Sequence, residues 1–286
     1  MVCLLLVGCA SAPAQPPSIP AASPVETAMS VQTVHVRTAD ELRSVSAALS
    51  EMVYAENPGG KIEVIIHAGR YSGLPLRLDA RRSPVDITVR GEGDPVMEGL
   101  SIEVVARSVS VSGLQFTGRF SQAALNLQGA VSVGAEAVHF RQVQVAPERR
   151  GGGARGAIVN LEVLADGAEL SLKDCTMEGA SVPGSTLLYL WMPPGKTIAS
   201  AVLERWTVRD VTVKSLVKVG VIEALAMRDV ALEVPSGAHL LDVHTARQRP
   251  SITGGRVAVD DVSFLSTGKA PELRDVDLRL RRGSGD

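Results

Sequence analysis

Apolar residues between Thr38 and Val53 recur with helical spacing: Leu42, Val45, Leu49, Met52 and Val53 stand at i, i+3, i+7, i+10 and i+11, a single stripe. Thr38-Ala39-Asp40-Glu41 ahead of them has the form of a capping box, in which the Thr hydroxyl and the Glu carboxylate satisfy amides at the start of a helix; Asn57-Pro58-Gly59-Gly60 stops it. From Lys61 the pattern changes to alternation. Runs such as Val85-Asp86-Ile87-Thr88-Val89-Arg90-Gly91 and Val109-Ser110-Val111-Ser112-Gly113-Leu114-Gln115-Phe116 bury every second position, as half-buried strands do, and Val85 and Val109 are 24 residues apart.

A short unit then recurs: Phe140-Arg141-Gln142-Val143, Leu172-Lys173-Asp174-Cys175, Val208-Arg209-Asp210-Val211, Met227-Arg228-Asp229-Val230 and Leu273-Arg274-Asp275-Val276, with Val259-Asp260-Asp261-Val262 as a variant. The apolar parity shifts across each bend residue, as in Leu170 and Leu172 followed by Cys175 and Met177. This predicts two short strands meeting at a tight turn, where Asp tolerates the left-handed conformation. Successive bend residues lie 32, 36, 19, 32 and 14 residues apart. Repeats of 20–50 residues signal a solenoid, so the first four spacings predict one coil each and a single column of bend residues. The last is too short for a coil and puts Asp261 or Asp275 at a different corner or in an irregular C-terminal cap.

The capping helix, then Ile62-Glu63-Val64-Ile65-Ile66-His67-Ala68-Gly69-Arg70-Tyr71, then Val89-Arg90-Gly91-Glu92-Gly93 and Val111-Ser112-Gly113-Leu114, resembles the N-terminal coils of the pectate-lyase-like superfamily, over about residues 34–280. The resemblance implies an all-β, right-handed parallel β-helix solenoid with an N-terminal capping α-helix. At roughly 24 residues per coil and about 4.8 Å per stacked strand, some nine coils would form a rod on the order of 40 Å long. It implies architecture and says little of chemistry, since one fold hosts many functions.

Composition agrees with that architecture. Hydrophobic residues are 45% of 286, and 38 of them are Val against 9 Trp, Tyr and Phe together, a β-branched make-up suited to a pleated surface. Few rings also means few stacking platforms for sugars or bases. Lys plus Arg number 29 against 31 Asp plus Glu, which leaves no basic footprint for nucleic acid.

Leu6-Val7-Gly8-Cys9 is similar to the lipobox of bacterial lipoproteins, which makes Cys9 the expected lipidation site and membrane anchor; Ala10 after it resembles lipoproteins sent to the outer membrane. No Lys or Arg precedes Cys9, which departs from a full secretory signal. The expected organisation is a signal peptide over 1–9, a Pro/Ala/Ser-rich tether over 10–30, an N-terminal strand and capping helix over 31–60, the β-helix over 61–282 and a disordered tail over 283–286. No later segment approaches about 18 consecutive apolar residues.

Candidate chemistry is sparse. Asp174, Asp210 and Asp229, with Asp275, would place neighbouring carboxylates on successive coils if they stack, as a calcium site or an acid–base pair requires; their usefulness at a bend explains them without a ligand. The enzymes that the fold resembles carry an Asp-Asp pair, a Gly-His-Gly and an Arg-x-Lys on neighbouring coils. Here Asp260-Asp261 is the only Asp-Asp pair and the other motifs do not follow it. The run Leu187-Leu188-Tyr189-Leu190-Trp191-Met192-Pro193-Pro194-Gly195 reads first as a buried strand and its exit, and otherwise as an exposed contact for a partner or polymer with Tyr189 and Trp191 as anchors. His239, Asp242 and His244 would converge on a metal only if the chain bends there. Gly151-Gly152-Gly153-Ala154-Arg155-Gly156 lacks the Lys-Ser/Thr of a phosphate loop and is expected to be a flexible insertion. Cys175, alone outside the leader, is expected as buried packing, and Trp206 as core or rim packing. These residues predict a monomeric, envelope-anchored scaffold or binding surface for polysaccharide or protein, without a cofactor. The alternative is a polysaccharide lyase or glycoside hydrolase using surface carboxylates, the one case in which calcium enters.

Overall fold

Alternating burial along the chain closes into coils. In the computed structural model, which describes residues 31–54 (side chains to 47), 60–81, 83–146, 156–260 and 265–281, each coil gives a strand to each of three faces. Val85–Glu92 lies on the first face, Val96–Glu98 on the second and 102–105 on the third; the chain then runs on into 108–112, back on the first face one coil further along. Every pairing between described strands is parallel, the ladder of the first face running from Val31–Val36 to Glu272–Arg274. Eight strands stack on the third face, from Leu76–Asp79 to Ser266–Thr267. The protein is thus the expected parallel β-solenoid, with about eight turns rather than nine because inserted loops lengthen several coils. Cys9, the tether, the Asn57-Pro58-Gly59 stop, the Gly151–Arg155 insertion, Asp261 and the C-terminal tail lie outside the described residues.

Inward positions stack like upon like. On the second face Tyr71, Met97, Phe116, Phe140, Met177, Val208, Leu232 and Val257 form one column, each in register with the next and none more than 1% exposed. The Phe116 and Phe140 rings stack with centroids 5.1 Å apart. Trp206 is fully buried, as expected. Cys175 is buried too, its thiol donating to the Lys173 carbonyl at 3.2 Å, and burial pushes its pKa up to about 12, so it is inert packing.

An open solenoid end exposes strand edges and core, and the N-terminal end is covered as the sequence predicts. The helix Ala39–Tyr54 begins with the capping box: the Glu41 N–H donates to Thr38 Oγ1 at 3.1 Å, and the Thr38 N–H donates to Glu41 Oε2 at 3.3 Å. Leu42 and Val45 of its stripe are buried; the side chains of Leu49, Met52 and Val53 lie outside the described residues. Beside the helix the first strand, Val31–Val36, is joined to the next by a side-chain contact, His35 Nδ1 to His67 Nε2 at 3.0 Å, with Glu92 3.3 Å from the other His67 nitrogen.

The bends correct one expectation. Gly113, Ala137, Asp174, Arg205, Asp229, Gly254 and Asp275 all have φ between 47° and 71° and stand at the corner between the first and second faces. The Asp174 N–H donates to the Glu204 carbonyl and the Arg205 N–H to the Arg228 carbonyl, one coil on in each case. Gln142, Gly179 and Asp210, with φ of 51°, 64° and 53°, stand at the other end of the second face. Asp210 is therefore not in the column of Asp174 and Asp229. The same short polar unit serves two corners of the coil because both need one left-handed residue, and the spacings read as single coils include steps between corners.

Glycine is required where corners stack closely. A Cβ on Gly91 would fall 2.0 Å from the Gly113 carbonyl oxygen. Val111 and Leu172 are both fully buried. Val111→Asp or Leu172→Asp, each burying an unpaired charge, is expected to cost about 3–5 kcal/mol, read as a lowered midpoint in urea unfolding; an unchanged midpoint in either would contradict the assigned facing.

Candidate functional site

Outward side chains of a parallel stack form ladders with about 4.8 Å between rungs, so like charges on adjacent rungs repel. On the first face the ladder Glu136, Lys173, Glu204, Arg228 alternates in sign, with Lys173 Nζ 3.3 Å from Glu136. On the second, Arg141, Glu178 and Arg209 alternate, with Arg209 and Glu178 2.7 Å apart and the guanidinium holding the Glu178 carboxyl below its ordinary range. Glu136 with Lys173 and Glu178 with Arg209 are thus paired within the fold.

The third face differs. Its strands repeat an apolar-x-apolar-x pattern in which x points outward: Leu125-Asn126-Leu127-Gln128, Val159-Asn160-Leu161-Glu162, Leu188-Tyr189-Leu190-Trp191, Val217-Lys218-Val219-Gly220 and Leu241-Asp242-Val243-His244. The register lines up Asn126, Asn160, Tyr189, Lys218 and Asp242 in one ladder and Gln128, Glu162 and Trp191 in the next. All eight side chains are partly buried.

Most of these groups have no partner that explains them. Asn160 Oδ1 is buried without a hydrogen bond. Lys218 forms no ion pair among the described residues; its ammonium stands 5.8 Å from the Tyr189 ring centre, while Asp242, its register partner, accepts from Thr267 Oγ1 at 2.9 Å. Glu162, between Gln128 and Trp191, makes no hydrogen bond or ion pair among the described residues. Desolvation raises its pKa to about 7, against a smaller lowering by Arg81. Tyr189 is raised as well, first by burial and then by the negative charges of Asp242 and Glu162. Met192 folds over the end of the strip: its Sδ accepts from the Val221 N–H at 3.4 Å, and a Cβ on Gly220 would stand 2.5 Å from that sulfur. Perturbed titratable groups gathered on one face mark a functional-site candidate.

The structure brings Tyr189 and Trp191 together on this strip and places the Asp candidates elsewhere. Asp174 is held bidentately by Arg205, Nε to Oδ1 at 2.5 Å and a terminal nitrogen to Oδ2 at 2.8 Å, which lowers its pKa and occupies its oxygens. Asp229 lies two coils from Asp174 with Arg205 between, and Asp210 lines a shallow depression at the other corner with Arg141, Glu178 and Arg209. Asp242 and His244 share the outward face of His239–Ala246, whereas His239 begins that strand opposite Ser215. No group of three or more His, Cys, Asp or Glu placed to hold a metal occurs among the described residues. Asn126, Asn160, Glu162 and Lys218 were not singled out from the sequence, although the repeated apolar-x-apolar-x phrase carries them.

Fold and strip define a class, a parallel β-solenoid with a polar strip along a lateral face. No family model and no curated protein matches the chain. Among solved structures, an alginate lyase from Paenibacillus sp. str. FPU-7 is similar at a TM-score of 0.35 and 13% identity, over 87% of this chain and 99% of that one.

Because the fold favours the neutral Glu162 carboxyl, stability from this group is full below the ordinary carboxylate range and is lost as pH rises towards about 7. Glu162→Gln is expected to melt about 2–4 °C above the parent at pH 8 and level with it at pH 4, as calorimetry at the two pH values would show.

Proposed function

We propose that the protein is a cell-envelope lipoprotein, anchored through Cys9 to the outer membrane, whose third face binds a polysaccharide without cleaving it. The observation that carries this is the strip itself: amide, phenol, indole, ammonium and carboxyl groups on successive rungs, largely unused by the fold. A polymer laid along the rungs meets a new set of donors and acceptors at each step, with Trp191 as an apolar platform.

The spacing of the Glu162 carboxyl from its neighbours favours binding over hydrolysis, and the closer pair on this face, Asp79 and Glu103, is held by Arg81 and Arg77. Paired-carboxylate glycosidases set their two groups about 5–9.5 Å apart. Glu162 and Asp242 are separated by three strands and two residues, about 16 Å, and Glu162 and Glu103 by two strands and two residues, about 12 Å. A second reading, a lyase, draws on Tyr189 beneath the Lys218 ammonium with Glu162 near neutrality, since elimination needs one base and a group that neutralises charge rather than two carboxylates.

The full chain run through gels cast with acidic and neutral polysaccharides, with and without calcium, is expected to be retarded by at least one polymer. Tyr189→Ala and Trp191→Ala should each weaken that retardation roughly tenfold or more, in line with about 1–3 kcal/mol per stacked ring. Unsaturated products in the same mixtures would move the assignment to the lyase, and absence of both signals would refute polysaccharide binding. Cys9→Ser is expected to abolish fatty-acid labelling of the expressed protein; persistent labelling would remove Cys9 as the anchor.

A further inference from the structure

We infer that the protein, expected from its sequence to be a monomer, pairs with a second copy of itself through the C-terminal end of the solenoid, last coil against last coil about a two-fold axis. The two ends differ. The helix Ala39–Tyr54 packs over the N-terminal end. At the other end the last turn, Ser266–Thr267, Glu272–Arg274 and Asp277–Leu280, is paired on one side only among the described strands, with His239–Ala246 and Ser251–Val259. One coil back, Ile252, Val257 and Val259 are fully buried, whereas Leu273, Val276 and Leu278 of the last turn are half-buried and Leu280 is 54% exposed. The apolar side chains of that turn have core on one side and no described strand on the other, the edge that a further strand covers.

The turn is complementary to itself. Glu272-Leu273-Arg274 and Asp277-Leu278-Arg279 flank the corner Asp275-Val276. A two-fold axis through that corner lays each strand antiparallel to the other strand of the second copy. Glu272 then faces Arg279, Leu273 faces Leu278 and Arg274 faces Asp277 across the axis. Opposed residues of an antiparallel pair share one side of the sheet. Leu273 and Leu278 are in register with the buried Ile252 and Val257, so the leucines continue the core and both charge pairs fall outside. Asp275, opposite Val276, is the one charge of the turn without a complement.

The backbone has the matching parity. Glu272 and Arg281 donate their N–H groups to the previous coil, to the Pro250 and Val259 carbonyls, each at 2.8 Å. Such groups alternate in direction along a strand. Leu273 and Leu278 therefore turn theirs off the end, where the Leu278 N–H is met by the Val276 carbonyl of its own turn at 3.0 Å. Opposed leucines of this kind exchange two hydrogen bonds. The charges are paired along their own strands, Arg274 with Glu272 at 2.8 Å and Arg279 with Asp277 at 2.9 Å, on the surface where they are free to turn to the opposite rung. An edge without this order of signs would set like charges against each other, which favours a second copy over an unrelated strand. The contact is isologous, so it closes at two copies and puts the two N-terminal helices at opposite ends of one rod.

The test is sedimentation velocity of the full chain carrying Cys9→Ser, so that no acyl chain drives association, under reducing conditions from low to high micromolar concentration. A reversible monomer–dimer equilibrium without larger species is expected. Arg279→Glu and Glu272→Arg should each weaken it about tenfold or more with an unchanged circular dichroism spectrum, because like charges then oppose each other twice in the symmetric contact. Glu272→Arg combined with Arg279→Glu restores the pair with its signs exchanged and should recover most of the loss. A monomer at every concentration, a dimer that both single variants leave intact, a combined variant that recovers nothing, rescue of Arg279→Glu by Asp277→Arg instead, or growth into longer polymers would each overturn the inference.

Discussion

Everything outward on this molecule is governed by the stacking distance between coils. Parallel strands about 4.8 Å apart put the same position of each coil directly above its predecessor, so a side chain is never judged alone but with the rung on either side. Inside, the rule rewards repetition: Phe116 on Phe140, Leu172 beside Leu203. Outside, it penalises repetition of charge and drives Glu136, Lys173, Glu204 and Arg228 into alternation. The third face obeys it too, with Arg77 beside Glu103 and Lys218 beside Asp242, and between these pairs it carries Asn126, Asn160 and Tyr189.

The same rule explains what could be read from the sequence. Column residues repeat locally as apolar alternation, so the solenoid, the capped N-terminal end and the burial of Trp206 and Cys175 were all legible. The bend unit was legible as a bend but not as a particular corner. Asp174 and Asp210 sit in the same type of phrase because a left-handed residue is needed at both ends of the second face, and nothing local separates the two ends. Their assignment to one column required knowing how much chain each coil consumes, which inserted loops change.

Legibility was lowest at the strip. Asn126, Asn160, Tyr189, Lys218 and Asp242 are separated by 34, 29, 29 and 24 residues, intervals that align only once the inserted loops are taken out. Tyr189 and Trp191 drew notice as rings in an apolar run. Asn160 and Glu162 had no such signal, because an amide and a carboxyl between valines and leucines look like the ordinary solvent side of a strand. Their distinction is the missing partner and the burial, which exist only after folding.

The direction of the hydrogen bonds has a mechanical consequence. Strands cross the rod while their bonds run along it, so Val31–Val36 is held to the body by a row of parallel links to 61–66. Tension applied through residue 31 along the rod loads those links one after another, as a zipper opens, rather than all together as in shear. The end coil is therefore the fuse of the structure. The contact of His35 with His67 lies near the far end of that row, where a peeling strand meets it last.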